Sequence, residues 1–194
     1  MVIDAIKFFS ASAVGCLLLM GISDIRDAVS YATSKNHPIE LRLYASQIPS
    51  ESDTELCLSQ PQCRKLAEAI FFESRGEPQL GQYAVAFAII NRRDNGRWPD
   101  TVSGVVDQRI NGTCQFSYIC QLDQRLREQM IAKRQVVWEG TLQIAHDVYY
   151  FAVPDLTEGA DHFYNPDKVP RTPKFARVYE YVATIGDHKF YRSE

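Results

Sequence analysis

The sequence predicts an α+β fold, with a mainly helical lobe followed by a small antiparallel β region near the C-terminus. Three observations carry this. Apolar residues recur at helical spacing between Pro61 and Val153, short β-like runs take over after Pro154, and the two textures succeed one another instead of alternating. The chain has 194 residues, 45% hydrophobic and 23% charged, an ordinary globular composition without repeats or low-complexity tracts. Its 21 basic and 24 acidic residues leave a net charge of −3, which argues against a nucleic-acid partner.

The expected organisation is an N-terminal signal peptide or membrane anchor at 1–30, a linker or loosely packed arm at 31–60, and one functional domain at 61–194. The uncharged run from Phe8 to Ile22 follows Lys7 and precedes Asp24, Arg26 and Asp27. It is shorter than the ~20 apolar residues of a usual spanning helix, whereas a secretory apolar region needs only ~7–15. A cleaved signal, a retained anchor and a buried N-terminal helix remain open. Cys16 after Val14-Gly15 is a faint match to a lipoprotein site, because LLLMGI prolongs the apolar run beyond it. Pro38, Pro49, scattered Ser and mixed charges give 31–60 its linker character.

Four further cysteines, Cys57, Cys63, Cys114 and Cys120, permit three pairings. The two local ones are the simplest and fit an oxidising compartment such as a periplasm. The C-x5-C spacing is wider than zinc ligands usually take, so disulfides are expected and no metal.

Within the domain, Leu66, Ala67, Ala69, Ile70 and Phe71 predict a largely buried helix from Pro61 that stops near Arg75-Gly76. Pro78 suits the opening of a second helix, about Leu80 to Arg92, with Val85, Ala88, Ile89 and Arg92 on one side. Asp100-Thr101 caps a short helix through Val106. A short strand is expected at Gln115–Tyr118, then one or two helices over 122–153 with a break at Gly140. Strands follow at His162–Asn165, Val178–Thr184 and His188–Arg192, the last two joined by a Gly186-Asp187 turn.

Glu73 stands out chemically. It lies at the end of an apolar helix, just before a tight turn, where desolvation and the helix dipole both favour the protonated form a general acid needs. An exposed carboxylate paired with Arg75 is the other reading. Glu77 is poorly placed to flank a scissile bond opposite Glu73, since residues at i and i+4 share one helix face and Gly76 breaks the helix between them. It is expected to pair with Arg75 or a backbone amide, so both support the site.

The blocks AIFFESRGEPQLGQYAVAFAIINR (to Arg92), Trp98-Pro99-Asp100-Thr101-Val102, Cys114-Gln115-Phe116-Ser117-Tyr118, Gly159-Ala160-Asp161-His162-Phe163-Tyr164-Asn165-Pro166 and Ile185-Gly186-Asp187-His188 resemble the SleB-type cell-wall hydrolases, the spore-cortex-lytic enzyme family. The resemblance runs from about 62 to 192. It implies a lysozyme-like α+β catalytic domain acting as a lytic transglycosylase on the bond between N-acetylmuramic acid and N-acetylglucosamine. Glu73 matches the family's catalytic acid, and Gln115, Phe116 and Ser117 fall in the block expected to line the cleft. Phe116 is either a sugar-facing ring or core. His162, Tyr164 and Asn165 are candidate wall residues or hairpin supports.

The implied partners are peptidoglycan glycan strands, and the membrane through the N-terminal segment. No cofactor is expected, and the chain is expected to be a monomer. It is expected to be exported, either periplasmic or anchored in the inner membrane facing the periplasm, in a bacterial or a phage-encoded setting.

The alternatives are a hydrolytic muramidase or phage endolysin of the same fold, and a non-catalytic peptidoglycan-binding or virion structural module. A zinc enzyme using His146, His162 and His188, or a Cys–His hydrolase using Cys114 or Cys120 with His162, are weaker rivals.

Overall fold

The computed structural model describes residues 50–150 and 152–193. The expected signal or anchor at 1–30, and 31–49 of the expected linker, lie outside the described residues. The end of that expected linker is instead a helix, α1 (Glu51–Ser59), in which only Cys57 is buried. An apolar stripe therefore never marked it. It is held by the Cys57–Cys63 disulfide and by Ser50, whose amide donates to Gln143 Oε1 at 2.8 Å.

Helix α2 (Pro61–Ser74) opens with Pro at its first turn, and the Gln60 side chain accepts from the amides of Gln62 and Cys63. Its buried residues include Leu66, Ala67, Ile70 and Phe71. Helix α3 (Gln79–Asp94) is buried nearly all round, from Tyr83 through Ile90, not on one side only. Its alanines let α2 and α7 (Gln135–Tyr149) approach closely. Tyr83 donates to Asp147 Oδ2 at 2.6 Å, which fixes α3 against α7 by a buried polar contact.

Between these helices lie α4 (Val102–Val106), whose Thr101 hydroxyl caps the Gly104 amide, and a small hairpin of β1 (Arg109–Ile110) and β2 (Thr113–Cys114). The expected strand at Gln115–Tyr118 is the entry into α5 (Ser117–Gln121). Burial does alternate there, Phe116 and Tyr118 in, Gln115 and Ser117 out, but the Cys114–Cys120 disulfide closes the segment into a helical turn. Helix α6 (Gln124–Ala132) buries no residue and is capped by Asp123, which accepts from Leu126 N. The break before α7 falls at Lys133-Arg134 and not at Gly140, which sits inside α7. A mid-helix glycine costs only about 1 kcal/mol, and the buried face formed by Trp138, Leu142, Ala145 and Val148 runs past it uninterrupted.

The C-terminal sheet has strand order β3–β5–β4, all antiparallel: β3 (His162–Tyr164), β4 (Glu180–Ile185) and β5 (His188–Arg192). Ile185 faces His188 across the two-residue turn Gly186-Asp187, with Gly186 at φ +57°. A glycine at the first central position is what such a hairpin turn favours. The sheet rests against α3 through β3 and β4. Among the described residues no helix is long and apolar enough to cross a membrane.

The segment leading into β3 is tied to α3 by Asn91. The two N–H groups on its Nδ2 are shared among three acceptors, Asp155 Oδ2 (3.0 Å), Thr157 Oγ1 (3.2 Å) and Ala160 O (3.0 Å). Asn91→Ala is expected to cost about 2 kcal/mol, since it strands acceptors that water reaches poorly. Urea unfolding with an unchanged slope and a lowered midpoint checks this, and an unchanged midpoint would refute the assignment.

Candidate active site

Glu73 sits in the last turn of α2 and is only partly exposed. Its carboxyl makes no hydrogen bond or ion pair among the described residues, so it is available to a ligand. Burial pushes its pKa up to about 7, against the pull of the Arg92 and Lys168 charges. The negative end of the α2 dipole acts in the same direction as burial.

Arg92, on α3, is 7% exposed. Its guanidinium lies 5.3 Å from the Trp98 ring and 5.6 Å from the Phe116 ring, and its Nε donates to Asp161 O at 2.5 Å. Burial lowers its pKa to about 10, opposed by the Asp161 and Glu73 charges, so it stays cationic at neutral pH. Asp161 is fully buried. Its Oδ1 lies 2.8 Å from His162 Nδ1 and accepts from Ser193 N at 2.9 Å, while Oδ2 accepts from the Ser193 hydroxyl. Burial raises the Asp161 pKa, but the hydrogen bonds from His162 and Ser193 win and hold it near 2.

Glu77 is also buried, but it faces away from this constellation towards the sheet. Its Oε2 accepts from Asp187 N at 2.8 Å, and His188 Nδ1 lies 3.4 Å from its Oε1. A Cβ on Gly186 would collide with Glu77 Oε2. Burial lowers the His188 pKa despite the Glu77 charge beside it. Of the two expected partners of Glu77, the backbone amide is the one present. Arg75 turns elsewhere, donating from Nη1 to Phe71 O at 3.2 Å with its guanidinium 5.2 Å from the Phe71 ring.

The other expected site residues divide by burial. Gln115 and Ser117 are exposed, whereas Phe116 is 2% exposed, its ring beneath Arg92, which places it in the core. Tyr118 is buried with its ring stacked 4.6 Å from Phe72. His162 is buried between Trp98, Phe175 and Tyr179, with centroids 5.4, 4.9 and 4.7 Å away. Tyr164 is half-buried, 6.0 Å from the Tyr191 ring. Asn165 is buried, and its Oδ1 accepts from Asp167 N and Lys168 N, a turn that presents the exposed Lys168. Sequence reasoning missed Arg92, Asp161 and Lys168 as site residues. The one available signal was a charge within the apolar face of α3, spaced one turn from Ile89.

Cys114 and Cys120 are joined, so neither offers a thiolate to His162. The three histidines of the zinc alternative face different carboxylates: His146 faces Asp147, His162 faces Asp161 and His188 faces Glu77. Among the described residues no group of three or more His, Cys, Asp or Glu side chains converges as a metal site would.

The family described as Cell Wall Hydrolase matches residues 76–191. The chain belongs to the cell wall hydrolase family. Relatives of this cell wall hydrolase include the spore cortex-lytic enzyme of Bacillus cereus, 32% identical over 137 residues, which are 68% of this chain and 44% of that protein. The spore cortex-lytic enzyme of Bacillus subtilis is 44% identical over 129 residues, covering 66% of this chain and 36% of that one. The chain therefore spans less than half the length of these curated relatives. Among solved structures, the catalytic domain of the germination-specific lytic transglycosylase SleB from Bacillus anthracis superposes with a TM-score of 0.52 at 29% identity. The match covers 69% of this chain and 95% of that one. The chain thus has the lysozyme-like α+β fold, with the helical lobe first and the sheet last.

Because the native state holds the Glu73 proton from its ordinary 4.5 up to about 7, wild-type stability falls as pH rises through that window. Glu73→Gln is therefore expected to be more stable than wild type by about 1–3 kcal/mol at pH 8 and equal to it at pH 4. Melting curves across that range check it, and a pH-independent difference would contradict it. Gly186→Ala is expected to lose about 2 kcal/mol or more, through the positive φ and the displaced Glu77 carboxylate. Adding Glu77→Ala should recover part of that loss if the collision with Glu77 contributes to it.

Proposed function

We propose that this cell wall hydrolase is a peptidoglycan lytic transglycosylase in which Glu73 is the only acid and base. The observation that carries the reading is a partly exposed carboxyl with a pKa near 7 and no hydrogen-bonding partner among the described residues. The buried carboxylates near it are committed elsewhere, Glu77 to Asp187 N and Asp161 to Ser193. The lytic transglycosylase named among the solved structures supports the same assignment.

Protonated Glu73 gives its proton to the glycosidic oxygen as the bond from the muramyl anomeric carbon breaks. The resulting carboxylate takes the proton of the muramyl 6-hydroxyl, whose oxygen then bonds to that carbon. The product is a 1,6-anhydro ring, the proton count is restored, and no water is consumed. A two-carboxylate hydrolase would need a second acid across the sugar. The two disulfides support action outside the cytoplasm, on the cell wall.

The test is digestion of purified peptidoglycan followed by mass spectrometry of the fragments. Anhydro-muramyl ends, with release lowered by about 10²–10⁴-fold in Glu73→Gln, are expected. For wild type, kcat/KM should fall above about pH 7, as Glu73 loses its proton. Reducing muramyl ends would replace the anhydro mechanism by hydrolysis. A folded protein that releases no fragments would leave a glycan-binding module.

A further inference from the structure

We propose that Arg92 is a second catalytic residue, whose terminal nitrogens hydrogen-bond a sugar oxygen beside the scissile bond while its charge supports the Glu73 carboxylate between the two proton transfers. This rests on the transglycosylase reading above and adds to it the group that stabilises charge.

A buried arginine is expensive unless its donors and charge are met, and an apolar side chain of similar shape often does as well in a purely structural role. Arg92 is met only in part. Of its five N–H donors, the one on Nε is used, at Asp161 O. Nη1 and Nη2 make no hydrogen bond among the described residues, and neither is sealed from solvent. No carboxylate stands within ion-pair distance of them there, although the charge interacts with both Glu73 and Asp161.

The Arg92 and Glu73 charges interact, yet the two side chains form neither an ion pair nor a hydrogen bond with each other, so a sugar oxygen bound by the Arg92 nitrogens need not displace Glu73. Everything around the guanidinium holds it still. The Trp98 and Phe116 rings both lie against it, Asp161 O accepts from Nε, and Asp161 is itself held by His162 and Ser193. Fixed donors in a water-poor site are the arrangement that stabilises developing charge most strongly.

In the reaction Arg92 keeps all its protons. When Glu73 has protonated the leaving oxygen, the site contains a carboxylate beside an electron-poor anomeric carbon. Arg92 favours that carboxylate until the 6-hydroxyl proton returns. Lys168 is exposed at the same site and adds a weaker, solvent-screened contribution.

The experiment compares full-chain Arg92→Lys and Arg92→Gln with wild type for kcat, KM and the pH profile on purified peptidoglycan. Glu73 is titrated alongside by carbon-detected NMR, without substrate. Arg92→Gln is expected to lower kcat by about 100-fold and to move both the Glu73 titration and the alkaline limb of kcat/KM upward. Arg92→Lys, which keeps charge but not the planar fork, should leave the limb near its wild-type position and lower kcat by a smaller factor.

A folded Arg92→Gln with wild-type kcat and an unmoved Glu73 titration would overturn the proposal. If Arg92→Gln does not fold, Arg92→Lys decides: full wild-type turnover overturns the hydrogen-bonding role, and a selective fall in kcat supports it. Absence of cleavage by wild type itself would instead sink the transglycosylase reading. In that case the NMR titration still reports whether Arg92 and Glu73 are coupled.

Discussion

The carboxylate of Asp161 is where the helical body and the sheet are joined, and the rest of the site depends on that junction. Asp161 stands just before β3, yet it accepts from Ser193 beyond β5, while its carbonyl holds Arg92 near the end of α3. Burial alone would drive such a group to its neutral form. Hydrogen bonds from His162 and Ser193 outweigh burial and keep it ionised. Its contribution to stability is fully present above the ordinary 3.8 and is lost as the pH falls towards 2, so the junction holds at neutral pH.

Around that junction the fold gives two nearby carboxyls different partners. Glu73 has no hydrogen-bonding partner among the described residues and is pushed towards its acid form, while Glu77 is hydrogen-bonded and turned to the hairpin. Both follow from where α2 ends. Stopping the helix at Ser74 strands Glu73 in the last turn and swings Glu77 round to meet Asp187 and His188. Glycine at 186 lets the hairpin approach that closely.

Much of this was legible in the chain. The α2 boundary, the turn at Gly186-Asp187, the local cysteine pairs and the special position of Glu73 all follow from short-range chemistry: a terminating glycine, a two-residue turn, paired spacings, an acid closing an apolar run. What was not legible depends on distant partners. Helix α1 is held by a disulfide and by Gln143, so its own composition resembles a linker. Gly140 has the local propensity of a break, but the packed face of α7 passes it. The alternating burial of Phe116 and Tyr118 mimics a strand within a helical turn. Arg92 and Asp161 acquire meaning only when α3 meets β3, a contact no local window contains.

Both disulfides join cysteines six residues apart, each to its nearest neighbour in the sequence. A chain entering an oxidising compartment from its N-terminal side presents Cys57 and Cys63 together, well before Cys114 and Cys120 arrive. Among these four cysteines, pairing in the order of emergence is therefore the same as the native pairing.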